Sequence, residues 1–461
     1  MSNDEARNHS RLAEVRYLLT CVSNLQCAAV VGISNMGKTS LLRLLREPAV
    51  QAAHLGAAAR DYVLVYVDCN RILEMTERGF YELTLRCLLD DLAEAESSAP
   101  GNALGEHLRA AYERLLHPTS SFDVPLGFSQ GLTALGEGSG RRLVLMFDEF
   151  DEPLAALDRR VFLNLRALKD QYPHRLSYII ATNRRLGRVR DEKEVGEFIE
   201  LFAHHTWYLG PLNEADAREF IARFAAREGV TFDEADVGFI LERSGGHLGL
   251  LDAVCRALGE VTGEPARTPS QDALIHRQVA EALARGGPAQ AECRKIWADL
   301  SEDEQEALVA LFTPGAPLDP DALHSLRQKH VLLNGGEGEE PRLFSRLFAK
   351  FVGRQRVVRR VGAGGVKVDV EAGEVTVDGR PTPPLTNLEY RLLLLLYGHL
   401  GKICDKYQVV QAVWGEDYID EIDDARIEKL VSRLRQKIEA DPANPKYLLT
   451  IRGRGYKLVG G

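Results

Sequence analysis

The chain has 461 residues, 45% hydrophobic and 27% charged, with a formal net charge of −10. That is enough apolar material for roughly two to four packed domains, and it excludes a polycationic nucleic-acid binder, so any DNA contact must come from a local basic patch. No apolar run approaches the roughly 20 residues that span a bilayer. The stretch up to Arg16 lacks a basic-then-apolar leader pattern. Seven scattered cysteines without a C-x-x-C argue against a disulfide framework or a zinc site. A cytoplasmic protein with no membrane partner is expected.

Four short runs rich in Val, Ile and Leu, at 27–33, 62–67, 143–147 and 176–181, read as strands, and 206–209 as a fifth. Continuous apolar runs of this length suit a parallel sheet covered on both faces. Ser, Pro and Gly at 97–106 predict a loop. From 213 to 263 the pattern is helical: Asn213 caps a first helix, Ser244-Gly245-Gly246 interrupts, and a second helix runs to Leu258, forming a small lid. Ser301 and Glu304 have the spacing of a capping box. Two helical stretches and an apolar–turn–apolar segment around Asn334-Gly335-Gly336 then outline a winged helix. The Gly- and Arg-rich 353–365 reads as a linker. Beyond it Val366, Val368 and Val370 alternate, as do Val375 and Val377, predicting strands. Thr386 and Glu389 form a second capping box that opens an apolar helix.

Gly32-Ile-Ser-Asn-Met-Gly37-Lys38-Thr39 fits G-x-x-x-x-G-K-[ST] at every fixed position. It lies where its chemistry requires, after a strand and before the helical run 40–47. Glycines let the backbone wrap a β-phosphate, and amides of the loop and helix N-terminus point at the anion. Gly32, Asn35, Met36, Gly37, Lys38, Thr39 and Ser40 are therefore the candidate set for ATP or ADP. Lys38 supplies a cation for the β and γ oxygens, and Thr39 a hydroxyl for Mg²⁺. The strand 143–147 ends in Asp148-Glu149. Asp148 would hold Mg²⁺ through water, and Glu149 would polarise the attacking water as general base; the alternative is a solvated acidic turn. The run 176–181 ends in Thr182-Asn183-Arg184-Arg185. Asn183, or Arg184 beside it, is the candidate that senses a γ-phosphate; a basic surface turn is the alternative.

Gly32 to Ser40, the FDEFD segment, the ATNRR strand end and the later GPLNEADA and SGGHLGLL stretches together resemble the STAND branch of AAA+-like P-loop ATPases, over roughly residues 10–355. The resemblance implies an α/β P-loop NTPase fold with a parallel sheet, a helical lid and a winged helix. It implies that another strand, matched here by 62–67, separates the acidic strand from the phosphate-loop strand. It also implies a switch, closed with ADP and open with ATP, often oligomeric. The family often has a proline after Gly-Gly-His in the lid, where it helps read the adenine site. Leu248 stands there, which leaves His247 as a candidate lid contact or a plain helix-start histidine.

At about 100° per residue, 424–439 places Ile427, Leu430, Val431, Leu434 and Ile438 on one face and Arg426, Lys429, Arg433 and Lys437 on a stripe beside it. That division suits a recognition helix in a major groove. From Ala425 onward nine cations face three acids, a net +6, directly after an acidic 415–424. Such segregation favours an oriented anion-binding face. Thr450-Ile-Arg452-Gly453-Arg454-Gly455-Tyr456-Lys457 reads as a tight hairpin carrying cations. Residues 366–459 closely resemble the OmpR/PhoB-type winged helix through LTNLEYRLLLLL, AVWG at 412–415, VSRLRQKIE at 431–439 and TIRGRGYKL at 450–458. The resemblance implies a C-terminal α+β winged-helix domain with an N-terminal sheet, three helices and a wing. Arg433 and Arg435 match the family's helix arginines, and Thr450 and Arg452 its wing contacts, with Arg454 beside them. The loop 415–424 matches a contact for RNA polymerase, or is a solvated turn. Ala425 and Leu430 depart from the family, which often has DNA-contacting polar residues there; Arg426 and Lys429 are placed to compensate.

The expected plan is a P-loop ATPase at 1–210, lid and connector at 211–290, a regulatory winged helix at 291–352, a linker at 353–365 and a DNA-binding winged helix at 366–461. The expected function is that of a nucleotide-switched transcription regulator. It would bind double-stranded DNA, form homo-oligomers on activation and hydrolyse ATP slowly. A DNA-processing AAA+ ATPase and a signalling scaffold whose last winged helix binds protein are the alternatives.

Overall fold

A computed structural model of the chain describes residues 11–96, 103–138, 140–261, 269–313, 316–333, 341–362, 366–369, 374–377, 380–415, 424–451 and 453–459. They fall into two compact units, Met1–Phe351 and Val352–Gly461.

In the first unit β1 (Ala28–Val31), β2 (Tyr62–Asp68), β3 (Arg142–Asp148), β4 (Leu176–Thr182) and β5 (Thr206–Tyr208) form one parallel sheet in the order β2-β3-β4-β1-β5. All five expected strands are there. Every residue of β1 and β4 is buried, as central strands covered on both faces require. The strand order corrects one expectation. β4 separates the acidic β3 from the phosphate-loop strand β1, and the 62–67 strand is an edge. β2 pairs along one side of β3 from Tyr62 to Asp68, and β4 takes the other side, so β2 cannot reach β1.

Alternation along β3 sends Leu143, Leu145 and Phe147 into the main core and leaves Asp148 on the opposite face. Phe147 packs on Phe80 and Phe150, with ring centroids 5.2 and 5.4 Å apart. Phe150 in turn meets Phe198 at 6.2 Å. The acidic corner therefore stands on a block of large, fully buried rings, which fixes the direction of the carboxylates.

Helix Ala103–Leu116 begins inside the expected 97–106 loop; residues 97–102 lie outside the described ones. The lid has three helices where two are expected: Glu214–Glu228, Glu234–Ser244 and Leu248–Gly259. Asn213 caps the first, accepting from the Asp216 amide at 2.9 Å. The extra break comes from Asp233, which forms its own capping box with Asp236.

The winged-helix outline follows. The Ser301–Glu304 capping box is formed, and helices Glu302–Leu311 and Pro320–Gln328 precede a hairpin of β6 (Leu332–Leu333) and β7 (Arg342–Leu343). The turn around Asn334-Gly335-Gly336 lies outside the described residues. Most of the expected linker is helical, in Arg346–Gly362. Apart from Gly353 that run contains no helix breaker before Gly362.

In the second unit, after the end of helix Arg346–Gly362, comes an antiparallel sheet of β8 (Val366–Asp369), β9 (Glu374–Val377) and β10 (Arg380–Pro381); Val370 lies outside the described residues. Helices Asn387–Gly398, Lys406–Val413 and Asp424–Ile438 follow, then the hairpin β11 (Leu448–Ile451) and β12 (Gly455–Leu458). The Thr386–Glu389 capping box is formed. Leu392, Leu396, Val409, Val413, Leu434 and Leu458 share one core. Gly455 is required here: a side chain on it would collide with the Cys404 carbonyl, because Cys404 and Tyr456 exchange backbone hydrogen bonds of 2.8 and 2.9 Å. All seven cysteines are buried and none is in a disulfide. Among the described residues no helix is long and apolar enough to cross a membrane.

Candidate nucleotide site and DNA-binding face

β1 delivers the chain into the loop Gly32–Gly37, and the helix Lys38–Leu45 begins at the motif lysine. Gly37 has φ 98°, and a side chain on it would run into Leu248 Cδ1 at 2.7 Å. Only glycine fits that turn. Asn35 also takes a left-handed φ of 58°, which asparagine tolerates better than most residues.

Lys38 is buried, 4% exposed. Its Nζ donates to the Gly32 carbonyl (2.8 Å), the Ile33 carbonyl (3.4 Å) and Asn183 Oδ1 (2.5 Å). Burial lowers its pKa, while Glu149, Asp299, Asp151 and Asp148 act in the opposite direction. The loop lysine, the acidic strand end and the strand-tip asparagine are thus brought together from three separate segments.

Asp148 is buried at the end of β3. Its Oδ2 accepts from the Tyr66 hydroxyl (2.8 Å) and its Oδ1 from the Glu149 amide (3.1 Å). Glu149 stands at φ 52°, a strained conformation for a non-glycine residue. It faces a cavity of about 970 Å³ together with Asn35, Gly37, Lys38, Thr39 and Ser40. Burial raises its carboxyl, and Lys38 draws it back. Asn183 is held from behind: its amide donates to Asp151 Oδ2 at 2.7 Å, and the Arg184 amide to Oδ1 at 3.3 Å. Asp151 escaped the sequence reading, although a third acid in FDEFD was the available signal. Thr39 and Asp148 offer hard oxygen donors of the kind Mg²⁺ takes when phosphates supply the remaining ligands.

The lid contributes the apolar Phe220, Phe224, Leu248 and Ala253 to the cavity, together with the charged Arg223, Arg227 and Asp252, and Leu212 lies just before the lid. Phe220 and Phe224 come from the first lid helix and carry no motif. Arg11 was also missed. It donates from Nη2 to the Met36 carbonyl (2.6 Å) and the Gly210 carbonyl (3.0 Å), and its amide to Asp216 Oδ2 (2.9 Å). Met36 itself is fully buried.

His247 is fully buried. Its Nδ1 accepts from the Leu250 amide (3.3 Å), capping the last lid helix, and its Nε2 donates to the Ser34 carbonyl (2.8 Å). Those two bonds require the neutral ring. Burial pushes the imidazole down to about 4, with Glu292 opposing and Lys38 and Arg11 assisting. A histidine depressed in the fold contributes stability that is complete above its unfolded pKa of about 6.5 and is lost as pH falls toward 4. The contribution is about 3 kcal/mol. The melting temperature of the wild type is expected to fall from pH 7 to pH 5, and more steeply than that of His247→Gln. Parallel curves would remove this histidine from the pH response.

In the second unit Ile427, Leu430, Val431, Leu434 and Ile438 form the buried face of helix Asp424–Ile438. Arg426, Lys429 and Arg433 are exposed. The other two helix cations turn inward. Arg435 donates from Nε and Nη2 to the Leu448 carbonyl (2.9 and 2.7 Å) and from Nη2 to Thr450 Oγ1 (2.8 Å). Lys437 Nζ reaches the Pro384 carbonyl (2.7 Å) and Glu389 Oε2 (2.6 Å), and holds the Glu389 carboxyl low against its burial. Thr450 and Arg454 are exposed on the hairpin. Arg452, and all of 415–424 except its two ends, lie outside the described residues.

A family model described as Novel STAND NTPase 1 matches residues 1–358, and one described as Transcriptional regulatory protein, C terminal matches 379–458. Sensory transduction protein RegX3 of Mycolicibacterium smegmatis is 46% identical over 99 residues, 21% of this chain and 42% of that protein. The chain spans less than half the length of the curated relatives it first matches. Among solved structures, the Walker-type ATPase of Pyrococcus abyssi is 13% identical with TM-score 0.48, covering 74% of this chain and 95% of that one. The RstA DNA-binding domain of Klebsiella pneumoniae, in complex with RstA box, is 26% identical with TM-score 0.20, covering 21% and 94%.

Proposed function

The chain belongs to the Novel STAND NTPase 1 family and ends in an OmpR/PhoB-type DNA-binding domain, and from that premise we propose that it is a transcription regulator switched by ATP and ADP. The observation that carries the reading is the bond between Lys38 and Asn183, 145 residues apart. It puts a polar strand tip against the cation of the phosphate loop, where the presence of a γ-phosphate would alter the contact.

In this reading Gly32, Asn35, Met36, Gly37, Lys38, Thr39 and Ser40 hold the phosphates, and the lid side with Phe220 and Phe224 takes the base. Thr39 and Asp148 hold Mg²⁺, which neutralises phosphate charge when bound. Glu149 is the general base of a slow hydrolysis, and Asn183 the γ-phosphate sensor. Residues 1–210 are the ATPase, 211–290 the lid and connector, 291–352 a regulatory winged helix and 366–461 the DNA reader. Nucleotide state sets the first winged helix and with it homo-oligomer formation, so that two DNA readers engage adjacent half-sites in the cytoplasm. Arg426, Lys429, Arg433, Thr450, Arg452 and Arg454 face double-stranded DNA. Arg435 and Lys437 serve the same surface from behind, and 415–424 meets RNA polymerase.

The test is binding of the full chain to genomic DNA fragments with ATP, ADP or neither, across a salt series. Sequence-selective binding whose affinity differs about tenfold or more between nucleotides is expected, with a steep salt dependence. Rapid, DNA-stimulated ATP turnover would replace this reading with a DNA-processing motor. No salt-sensitive DNA binding in any nucleotide state would replace it with a scaffold.

A further inference from the structure

Helix Pro288–Ala298 ends against the phosphate loop. From within it the Glu292 carboxylate accepts from the Asn35 side-chain amide at 2.5 Å. At its end the Ala298 carbonyl accepts from Arg184 Nη2 at 3.3 Å. The next residue, Asp299, is 8% exposed, and its Oδ2 accepts from the backbone N–H of Ser34 at 2.5 Å. Ser34 is the third residue of the phosphate motif, and Asp299 lies 265 residues further along the chain.

Backbone N–H groups of such a loop are donors for phosphate oxygens. A carboxylate is an anion with the same acceptor chemistry. Asp299 also belongs, with Glu149, Asp151 and Asp148, to the acids that act on Lys38. It acts on Asp151 as well, the residue that holds the Asn183 and Arg184 amides. The Asp299 carboxylate is therefore bound to the phosphate loop itself and acts on both Lys38 and the Asp151 that holds the strand tip read as the γ-phosphate sensor.

We propose that Asp299 is a surrogate for the terminal phosphate, and so determines which nucleotide the site accepts. With Asp299 on the Ser34 amide, the loop takes a nucleoside diphosphate and rejects a triphosphate. Two anions held on one N–H donor repel each other, and a γ-phosphate would add charge to a corner that already holds four carboxylates. A triphosphate enters when Asp299 leaves. Asp299 is separated by one residue from the Ser301 cap of helix Glu302–Leu311, so its departure displaces the start of the first winged helix. The inference rests on the reading of this cavity as an ADP/ATP site.

Calorimetric titration of the full chain with Mg²⁺ and either ADP or a non-hydrolysable ATP analogue tests it, on the wild type, Asp299→Asn and Asp299→Ala. Asparagine keeps the shape and can still accept from Ser34, but lacks the charge. The wild type is expected to favour the diphosphate about tenfold or more. Asp299→Asn should tighten the triphosphate about tenfold and move the diphosphate less than about threefold. A helix that was merely loosened would shift both nucleotides together, and that result would overturn the proposal. So would a wild type that binds both equally. A wild type that binds neither overturns the nucleotide-site reading itself, and the proposal with it. Melting curves of all three proteins establish that the comparison is made on folded chains.

Discussion

Lys38→Ala is expected to weaken ADP and ATP by about 100-fold or more, a loss of about 3 kcal/mol in binding free energy. The reason is electrostatic. Asp148, Glu149, Asp151 and Asp299 all act on the Lys38 ammonium, and Lys38, Asp148 and Asp299 are buried. Phosphate oxygens brought into this corner meet those four acids. With the ammonium present, its field offsets them, and Nζ can exchange the Asn183 and Gly32 acceptors for phosphate. Without it the loop amides must attract the phosphates alone against the carboxylates. Folding should survive, because the sheet is held by apolar packing, although the acids lose their counter-charge and the melting temperature should fall. Equilibrium titration with a fluorescent ADP derivative reads the effect, with melting curves beside it. Retention of affinity within about tenfold in a folded variant would show that the phosphates sit elsewhere.

The two ends of this site differ in how visible they are in the sequence. The phosphate loop and the acidic strand end are local patterns, in which a few neighbouring residues carry both the backbone shape and the chemistry, so they can be read directly. Asp299, Glu292 and Arg11 act through single contacts to a loop hundreds of residues distant, or across the fold to Met36 and Gly210, and no spacing rule points to them. Phe220 and Phe224 resemble any apolar helix positions until the lid is folded over the loop. Strand order fails for a related reason: apolar runs announce strands but not neighbours, and β4 enters between β3 and β1 although it comes later in the chain. A helical projection has the same limit. It correctly separates the apolar face of helix Asp424–Ile438 from the cations, yet it cannot say that Arg435 and Lys437 reach back to Leu448 and Glu389 while Arg433 stays exposed.

That division of the helix cations sets the second large effect. The combined Arg426→Ala, Lys429→Ala, Arg433→Ala variant is expected to lose about 100-fold or more in DNA affinity at moderate salt, and the slope of log K against log salt should shrink by about 0.9 for each phosphate no longer neutralised. The three side chains are exposed and leave the apolar face untouched, so the melting temperature should hold. Arg435→Ala should act by a different route. Its guanidinium fastens the helix to β11 through Leu448 and Thr450, so its loss frees the wing and leaves a buried carbonyl without its donor, which costs about 1–3 kcal/mol. Affinity and melting temperature should therefore fall together, with a smaller change in salt slope than in the triple variant. Anisotropy titrations of a selected DNA fragment over a salt series, paired with melting curves, separate the two. Unchanged affinity and slope in the triple variant would mean that this helix does not face the DNA. An Arg435→Ala variant that binds more weakly at full stability, with the slope reduced by about 0.9, would make Arg435 a direct phosphate ligand that swings out on binding.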